Sequence, residues 1–217
     1  MLCTRGVPRL SDGSDAASVR FLSQTVPRGD KCEEAHAPGD IKYTKIGESG
    51  DMKKTNAMRI LDTKKIPYRI LEYTPDENDL SGVHVAEQVG LPQEQVFKTL
   101  VVRGDKNGVA VFCIPCGGAL DLKTAARLTG NKRVEMLHVK ELPALTGYIR
   151  GGCSPIGMKK NYPTFLDESA QGCAEIAISA GVRGCQVLLS PEDLIACTGC
   201  GVAALLQEET RDGSERG

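Results

Sequence analysis

The chain contains no tryptophan, and aromatic residues make up only 4% of its 217 residues. A hydrophobic core must therefore be built from Val, Ile, Leu and Ala, which occur in short runs typical of a mixed α/β fold. No apolar run approaches the ~20 residues that cross a bilayer, and no basic stretch leads into an apolar segment at the N-terminus. These absences predict a cytoplasmic protein that does not associate with membranes.

Histidine is also scarce, since the sequence has only His36, His84 and His138. None of them lies in an HExxH motif or beside a GxSxG turn, and the chain has no Walker-type phosphate-binding loop. The sequence therefore disfavours histidine-based catalytic triads, zinc proteases and nucleotide hydrolases, and it gives no reason to expect a cofactor. Any catalysis has to use a group other than a histidine base.

Nine cysteines are many for a chain of this length. Without a secretion signal they are expected to be free thiols, metal ligands or catalytic groups rather than disulfides. Two pairs, Cys113 with Cys116 and Cys197 with Cys200, have the CxxC spacing of zinc ligands. Nothing in the sequence brings the two pairs together, so we expect buried thiols and no bound metal. A zinc-stabilised nucleic-acid-binding protein is the alternative, which elemental analysis tests.

The charge is unevenly distributed, although the formal net charge is only −1. Residues 97–160 carry 11 Lys or Arg and 4 Asp or Glu, a net charge of +7, whereas residues 161–217 carry −6. A contiguous basic segment of this kind can hold a polyanion such as nucleic acid. The alternative is a solvated basic face that the acidic segment balances in space.

Composition divides the chain into three parts. Residues 1–51 are rich in Gly, Ser, Asp and Pro without a sustained period, which predicts a disordered N-terminal extension. Residues 52–207 carry regular patterns and are expected to form one folded domain, and residues 208–217 are predicted to be a polar, flexible tail.

Periodicity and capping residues predict an α+β fold with a mixed sheet, from roughly six strands and four or five helices in mixed order. Thr55, Asp121 and Ser190 are predicted to cap helices, and a short helix is expected over 84–89 after Ser81 and Gly82. Strands are predicted over 68–73, 97–102, 109–114, 174–179 and 186–189. The stretch between residues 131 and 173 has no clear period.

Lys98 lies on an otherwise apolar strand, where burial of its charge requires a partner. One interpretation places it at a sheet edge with its ammonium group in solvent. The other places it in a pocket, where it can hold a phosphate, a hydroxyl or a carbonyl oxygen.

Residues 151–157, with the sequence GGCSPIG, form the second notable segment. Glycines let backbone N–H groups approach a ligand and stabilise an oxyanion, a contribution of roughly 3 kcal/mol per donor. A tight surface turn is the alternative. Cys153 and Ser154 are nucleophiles by type, but no histidine lies near them in sequence to activate them.

Taken together, the motifs resemble those of the YbaK/EbsC family of the prolyl-tRNA editing superfamily. They are FKTLV at 97–101, DLKTAA at 121–126, GY at 147–148 before GGCSPIG at 151–157, GVRG at 181–184 and SPEDL at 190–194. The resemblance extends from about residue 55 to about residue 206. It implies a barrel-like mixed β-sheet surrounded by helices, and an aminoacyl-tRNA deacylase that removes cysteine attached in error to tRNA(Pro).

The resemblance also implies a mechanism and a set of site residues. In this family the substrate's own thiol is thought to attack its ester, which gives a cyclic thiolactone and free tRNA, so the hydrolase can also act as a lyase. The catalytic residues implied are Lys98, Gly151 and Gly152. The substrate-binding residues implied are Tyr73, Thr99, Ser154, Pro155 and Gln186. Gln186 stands where some relatives carry an acidic residue, and Leu80 and Ser81 stand where members often have an aromatic residue.

The expected partners are the acceptor end of Cys-tRNA(Pro) and prolyl-tRNA synthetase. Two further hypotheses remain open: a deacylase of another mischarged tRNA such as Ala-tRNA(Pro), and a non-catalytic tRNA-binding or regulatory module of the same fold. A deacylation assay with several mischarged tRNAs distinguishes them.

Overall fold

The computed structural model describes residues 43–44, 53–77 and 79–207. The predicted tail over 208–217, and the predicted extension except for residues 43–44, lie outside the described residues, as does His36. The strands are β1 (Tyr43–Thr44), β2 (Arg69–Glu72), β3 (Val96–Gly104), β4 (Gly108–Pro115), β5 (Val134–Met136), β6 (Thr164–Asp167), β7 (Ile176–Ser179), β8 (Cys185–Leu189) and β9 (Gly201–Ala203). The helices are α1 (Asn56–Thr63), α2 (Gly82–Val89), α3 (Leu122–Leu128), α4 (Leu142–Thr146), α5 (Pro191–Thr198) and a 3₁₀ helix at Glu168–Gly172.

All of these strands belong to one mixed sheet, in the order β1-β2-β8-β7-β3-β4-β6-β9, with β5 also pairing with β3. The β3–β4, β2–β8 and β7–β8 pairs are antiparallel, whereas β3–β7, β4–β6 and β6–β9 are parallel. The predicted mixed α/β fold is therefore confirmed. Pairing also begins before residue 52, because β1 joins the edge of β2.

Helices cover both faces of the sheet. Successive residues of a strand point to opposite sides, so neighbouring residues of one strand belong to different hydrophobic clusters. On one face Ile178 and Val187 lie in a hydrophobic cluster with residues of α1 and α5. On the other face Ala177 and Leu188 lie in a cluster with residues of α2. No helix within the described ranges combines the length and the apolar content of a membrane span.

The predicted helix caps are confirmed. Thr55 accepts a hydrogen bond from Met58 N, Asp121 from Lys123 N and Ser190 from Asp193 N. Each side chain satisfies a backbone N–H that has no partner inside its helix.

The elements that the sequence did not reveal are short. β5, α4, β6 and β9 contain three to five residues each, too few to show a period of 2 or 3.6. They form because tertiary pairing holds them, as where β5 lies along β3 and β9 along β6.

Candidate active site

On one edge of β3, a gap lies between the two strands that pair with it, β7 and β5. β3 pairs with β7 through Val96 and Phe97, and with β5 through residues 102–104. Residues 98–100 therefore have no strand partner on that edge within the described part of the chain. A cavity of about 480 Å³ lies there, and Lys98, Thr99 and Leu100 line it. The gap gives a ligand access to side chains in the middle of the sheet.

Lys98 is half-buried in this cavity. Its Nζ donates a hydrogen bond to the carbonyl oxygen of Cys116 at 2.9 Å, and it forms no ion pair with any residue that the structure describes. Burial lowers the pKa of Lys98, because removal from water penalises its charged form. The structure thus places Lys98 in a pocket, positioned by one carbonyl and free to interact with an anionic group.

The wall facing β3 is built from β7, β8 and the end of β2. Ser179 and Gln186 are directly opposite each other in the β7–β8 pair, and both line the cavity together with Tyr73. Gln186 is only 5% exposed. Its Oε1 is also buried, and none of the described residues donates a hydrogen bond to it.

Ser179 was not predicted from the sequence. It is a single polar residue at the end of the apolar strand β7, and its Oγ accepts a hydrogen bond from Gly181 N at 3.3 Å. A polar residue on an apolar strand is the same signal that distinguished Lys98, and it could have identified Ser179 as well.

Of the predicted pair Gly151 and Gly152, only Gly151 is a lining residue of the cavity. Gly151 lines the cavity with a φ of +81°, in the left-handed region that favours glycine. The N–H of Gly152 instead donates to the carbonyl of Ile149 at 3.0 Å. This N–H is thus already paired within the turn, and a direct role of Gly152 in catalysis stays a prediction.

Ser154 and Pro155 do not reach the cavity, contrary to the prediction for them. Ser154 is fully buried, and its Oγ accepts a hydrogen bond from Ile156 N at 3.3 Å. Pro155 lines a separate cavity that also touches the end of α5. The segment turns into the protein after Cys153, so only its first part faces this cavity.

The sequence of residues 79–197 matches the aminoacyl-tRNA editing domain, and this span includes every lining residue named above except Tyr73. The chain belongs to this family. Among its relatives is EbsC of Enterococcus faecalis, whose name describes a candidate Cys-tRNA(Pro)/Cys-tRNA(Cys) deacylase. It is 50% identical over 156 residues, which cover 72% of this chain and 95% of EbsC.

Two other relatives of the editing domain are more distant. The uncharacterised protein YwhH of Bacillus subtilis is 27% identical over 109 residues, covering 50% of this chain and 69% of YwhH. A crystal structure described as a candidate trans-editing enzyme for prolyl-tRNA synthetase is 28% identical, with a TM-score of 0.62, and the match covers 70% of this chain and 96% of that one.

The cysteines of the editing domain are unsuited to nucleophilic attack. Cys116 and Cys153 line the cavity, but burial raises the pKa of Cys116 and raises that of Cys153 to about 12. Both are therefore thiols near neutral pH, whereas the thiolate is the reactive form. Neither His84 nor His138 lines the cavity to activate them.

The two CxxC pairs do not assemble a metal site. Cys113 packs in a buried cluster with Cys197 and Cys200, whereas Cys116 lies in a different cluster. No group of three or more potential metal ligands occurs in the ranges that the structure describes. The zinc-stabilised alternative therefore has no ligand set among these residues.

Proposed function

We propose that this editing domain cleaves the ester bond of Cys-tRNA(Pro) and so removes wrongly attached cysteine. The observation that carries the proposal is Lys98, an ammonium group without a carboxylate partner among the described residues, which lines the same cavity of about 480 Å³ as Gly151. The 50% identity to EbsC, whose name describes this activity, supports the same substrate. A cavity of this size has room for an aminoacyl group.

Lys98 stabilises negative charge that develops on the ester during cleavage. Its hydrogen bond to Cys116 O fixes the ammonium group before the substrate arrives, so little reorganisation is needed when charge forms. Partial burial strengthens this interaction because the effective dielectric is lower than in water. Gly151 N–H is the backbone donor that we assign to the same oxygen.

The nucleophile is the thiol of the substrate, because the cavity thiols stay protonated and no histidine reaches them. The cysteine sulfur attacks its own ester carbonyl carbon, the bond from that carbon to the ribose oxygen breaks, and the thiol proton passes to the ribose oxygen. The products are a four-membered thiolactone, which water then opens to cysteine, and free tRNA. The protein contributes by holding the aminoacyl group in the reactive conformation.

Gln186 and Ser179 hold the end of the aminoacyl group opposite Lys98. Gln186 Oε1 is buried without a partner, and an unsatisfied acceptor of this kind costs roughly 1–3 kcal/mol. A substrate donor such as the α-amino group satisfies it, so that binding recovers this cost. Tyr73 and Thr99 complete the wall as substrate-binding residues.

Selectivity follows from the chemistry of the substrate's side chain. An alanine ester can enter the same cavity but has no thiol to attack its own carbonyl, and a serine hydroxyl is a weaker nucleophile. Alanine and serine esters are therefore expected to be cleaved much more slowly than the cysteine ester. Recognition of tRNA(Pro) itself is assigned to joint binding with prolyl-tRNA synthetase.

A deacylation panel tests the proposal. Purified protein is incubated with Cys-tRNA(Pro), Ala-tRNA(Pro), Ser-tRNA(Ser) and Pro-tRNA(Pro), with and without prolyl-tRNA synthetase. We expect Cys-tRNA(Pro) to be cleaved fastest and Pro-tRNA(Pro) to be spared. If Ala-tRNA(Pro) is cleaved faster than Cys-tRNA(Pro), the protein is an Ala-tRNA(Pro) deacylase instead. If it binds these tRNAs but cleaves none of them, it is a tRNA-binding module.

A further inference from the structure

The cavity carries positive charge without a carboxylate to balance it. Among its described lining residues, Lys98 and Arg150 are the charged ones, and none is Asp or Glu. Neither cation forms an ion pair within the part of the chain that the structure describes. The other titratable residues of the lining are Tyr73, Cys116 and Cys153. Burial raises the pKa of both cysteines, so neither supplies a negative charge near neutral pH.

Glu77 does not supply the missing negative charge. Its carboxylate lies 4.0 Å from the guanidinium group of Arg183, and its side chain is 87% exposed. Arg183 Nε in turn donates to the carbonyl oxygen of Arg150 at 3.0 Å, next to the mouth of the cavity. A carboxylate that is held in water and paired with another arginine is screened from a group inside the cavity.

The polar wall of the cavity offers one hydrogen-bond acceptor and one donor. Gln186 Oε1 is buried, and no described residue donates to it. Ser179 Oγ, directly opposite in the β7–β8 pair, accepts from Gly181 N at 3.3 Å. The hydroxyl hydrogen of Ser179 is therefore left for a ligand. A neutral amine donates and also accepts through its lone pair, whereas an ammonium group only donates. The pair thus matches an uncharged nitrogen.

We infer that the cavity takes the aminoacyl group with its α-nitrogen uncharged, either as the free amine or as an amide. This inference rests on the proposed function. An ammonium group would lose hydration in the cavity and meet two positive charges without a counter-ion. A neutral nitrogen avoids both costs and still donates to Gln186 Oε1.

The substrate class that follows is wider than the aminoacyl ester alone. It comprises cysteine esters with a neutral α-nitrogen, and therefore includes esters whose nitrogen carries a small acyl group. The reaction is the same for both, because the thiol that attacks and the ester bond that breaks are unchanged by acylation. The Ser179 hydroxyl then donates to the carbonyl oxygen of the acyl group instead of the amine lone pair.

The test compares Cys-tRNA(Pro) with N-acetyl-Cys-tRNA(Pro) as substrates of the whole protein, at several values between about pH 6 and about pH 7.5, below the ordinary range of an α-amino group. Acetylation removes the titratable amine and keeps the thiol and the ester. The ratio of the two kcat/KM values therefore cancels the titration of Lys98, of the substrate thiol and of every other group that both reactions share. Both rates are corrected for uncatalysed hydrolysis.

We expect the wild type to cleave both substrates. The ratio of kcat/KM for the amine to that for the amide should rise roughly 10-fold over this range, as an α-amino group with a pKa at or below about 7.7 loses its proton.

Gln186→Glu supplies the missing carboxylate and should bind the ammonium form. The ratio for this variant should therefore change less than about twofold over the same range, and its cleavage of the acetylated substrate should fall roughly 10-fold, as for one lost hydrogen bond. The matched control is Gln171→Glu, at an exposed position outside the lining, which should behave as the wild type. Circular dichroism checks that both variants are folded, and the wild-type ratio carries the test if Gln186→Glu is not.

A wild-type ratio that stays constant with pH would overturn the inference, because the charged and neutral forms would then be equally good substrates. So would a wild type that cleaves Cys-tRNA(Pro) but not its acetylated form. A folded Gln186→Glu protein that keeps the wild-type rise would also contradict it, since the missing carboxylate would not be the cause. Failure of the proposed function gives a different result, in which the wild type cleaves neither ester at any pH and the inference falls with it.

Discussion

Lys98 is unusual because its charge is half-buried and its ammonium group donates to a carbonyl oxygen, not to a carboxylate. Its hydrogen bond to Cys116 O positions the ammonium group but leaves the charge uncompensated. Burial disfavours the charged form, so Lys98 loses its proton at a lower pH than an ordinary lysine. If catalysis needs the cation, activity is present below the pKa of Lys98 and is lost as pH rises through it.

The first prediction uses Lys98→Arg. The wild type should lose kcat/KM at a pH below the ordinary lysine pKa of about 10.4. The variant should be less active but should not show this alkaline loss, because arginine stays charged. Single-turnover deacylation of Cys-tRNA(Pro), corrected for uncatalysed hydrolysis, measures both profiles. The same alkaline decline in the two proteins would show that another group titrates.

The second prediction concerns Gln186, whose side-chain oxygen is buried without a partner. Gln186→Leu removes that unpaired acceptor at similar volume, so the free energy of unfolding in urea should stay the same or rise. The kcat/KM for Cys-tRNA(Pro) should fall roughly 10-fold, as expected for one lost hydrogen bond of about 1.4 kcal/mol. The control is Gln171→Leu, at an exposed position that does not line the cavity. A loss of stability without a loss of activity would contradict the assigned role.

The sequence alone identified some of the individual site residues. Lys98 could be identified because a charge on an apolar strand is exceptional. Ser154 and Pro155 could not be assigned correctly, because nothing local shows that the chain turns inward after Cys153.

Among the elements, the turn at 149–152 determines the shape of the mouth. Gly152 packs against the backbone of Val182 and Arg183, and its N–H closes the turn onto Ile149. We therefore infer that Gly152 acts by positioning Gly151 and Arg150.

The third prediction is that Gly152→Ala lowers kcat/KM by ~10- to 100-fold, since a displacement of about 1 Å at a catalytic site has effects of this size. The new Cβ would lie 3.1 Å from Val182 C and 3.2 Å from Arg183 N, which are backbone atoms that cannot yield without moving the turn. Gly172→Ala is the matched control, because nothing lies within 4 Å of its Cβ position. Equal activity of the two variants in the deacylation assay would refute this positioning role.

The helices with strong caps, α1, α3 and α5, were predictable because Thr55, Asp121 and Ser190 are local signals. β5 was not, because three residues cannot display a period. Yet β5 matters for the site, since the gap between β5 and β7 along β3 creates the cavity.

For the whole molecule, the fold class followed from the order of motifs, but the cavity did not. Lys98 and Gln186 are far apart in sequence, and they meet only because β7 pairs in parallel with β3 and brings β8 beside it. Local patterns carry no information about such pairing. The basic segment 97–160 supplies Lys98 and Arg150, and the acidic segment supplies the opposite wall. That the basic segment binds tRNA remains a prediction.

The central claim is that one ammonium group in this cavity accelerates ester cleavage without a histidine or a protein nucleophile. The most direct test is single-turnover hydrolysis of Cys-tRNA(Pro) by the wild type and by Lys98→Ala, with circular dichroism to show that both are folded. The account predicts a rate at least ~100-fold lower for the variant, as for the loss of one preorganised group that stabilises the transition state. A folded Lys98→Ala protein that cleaves Cys-tRNA(Pro) at the wild-type rate would contradict it.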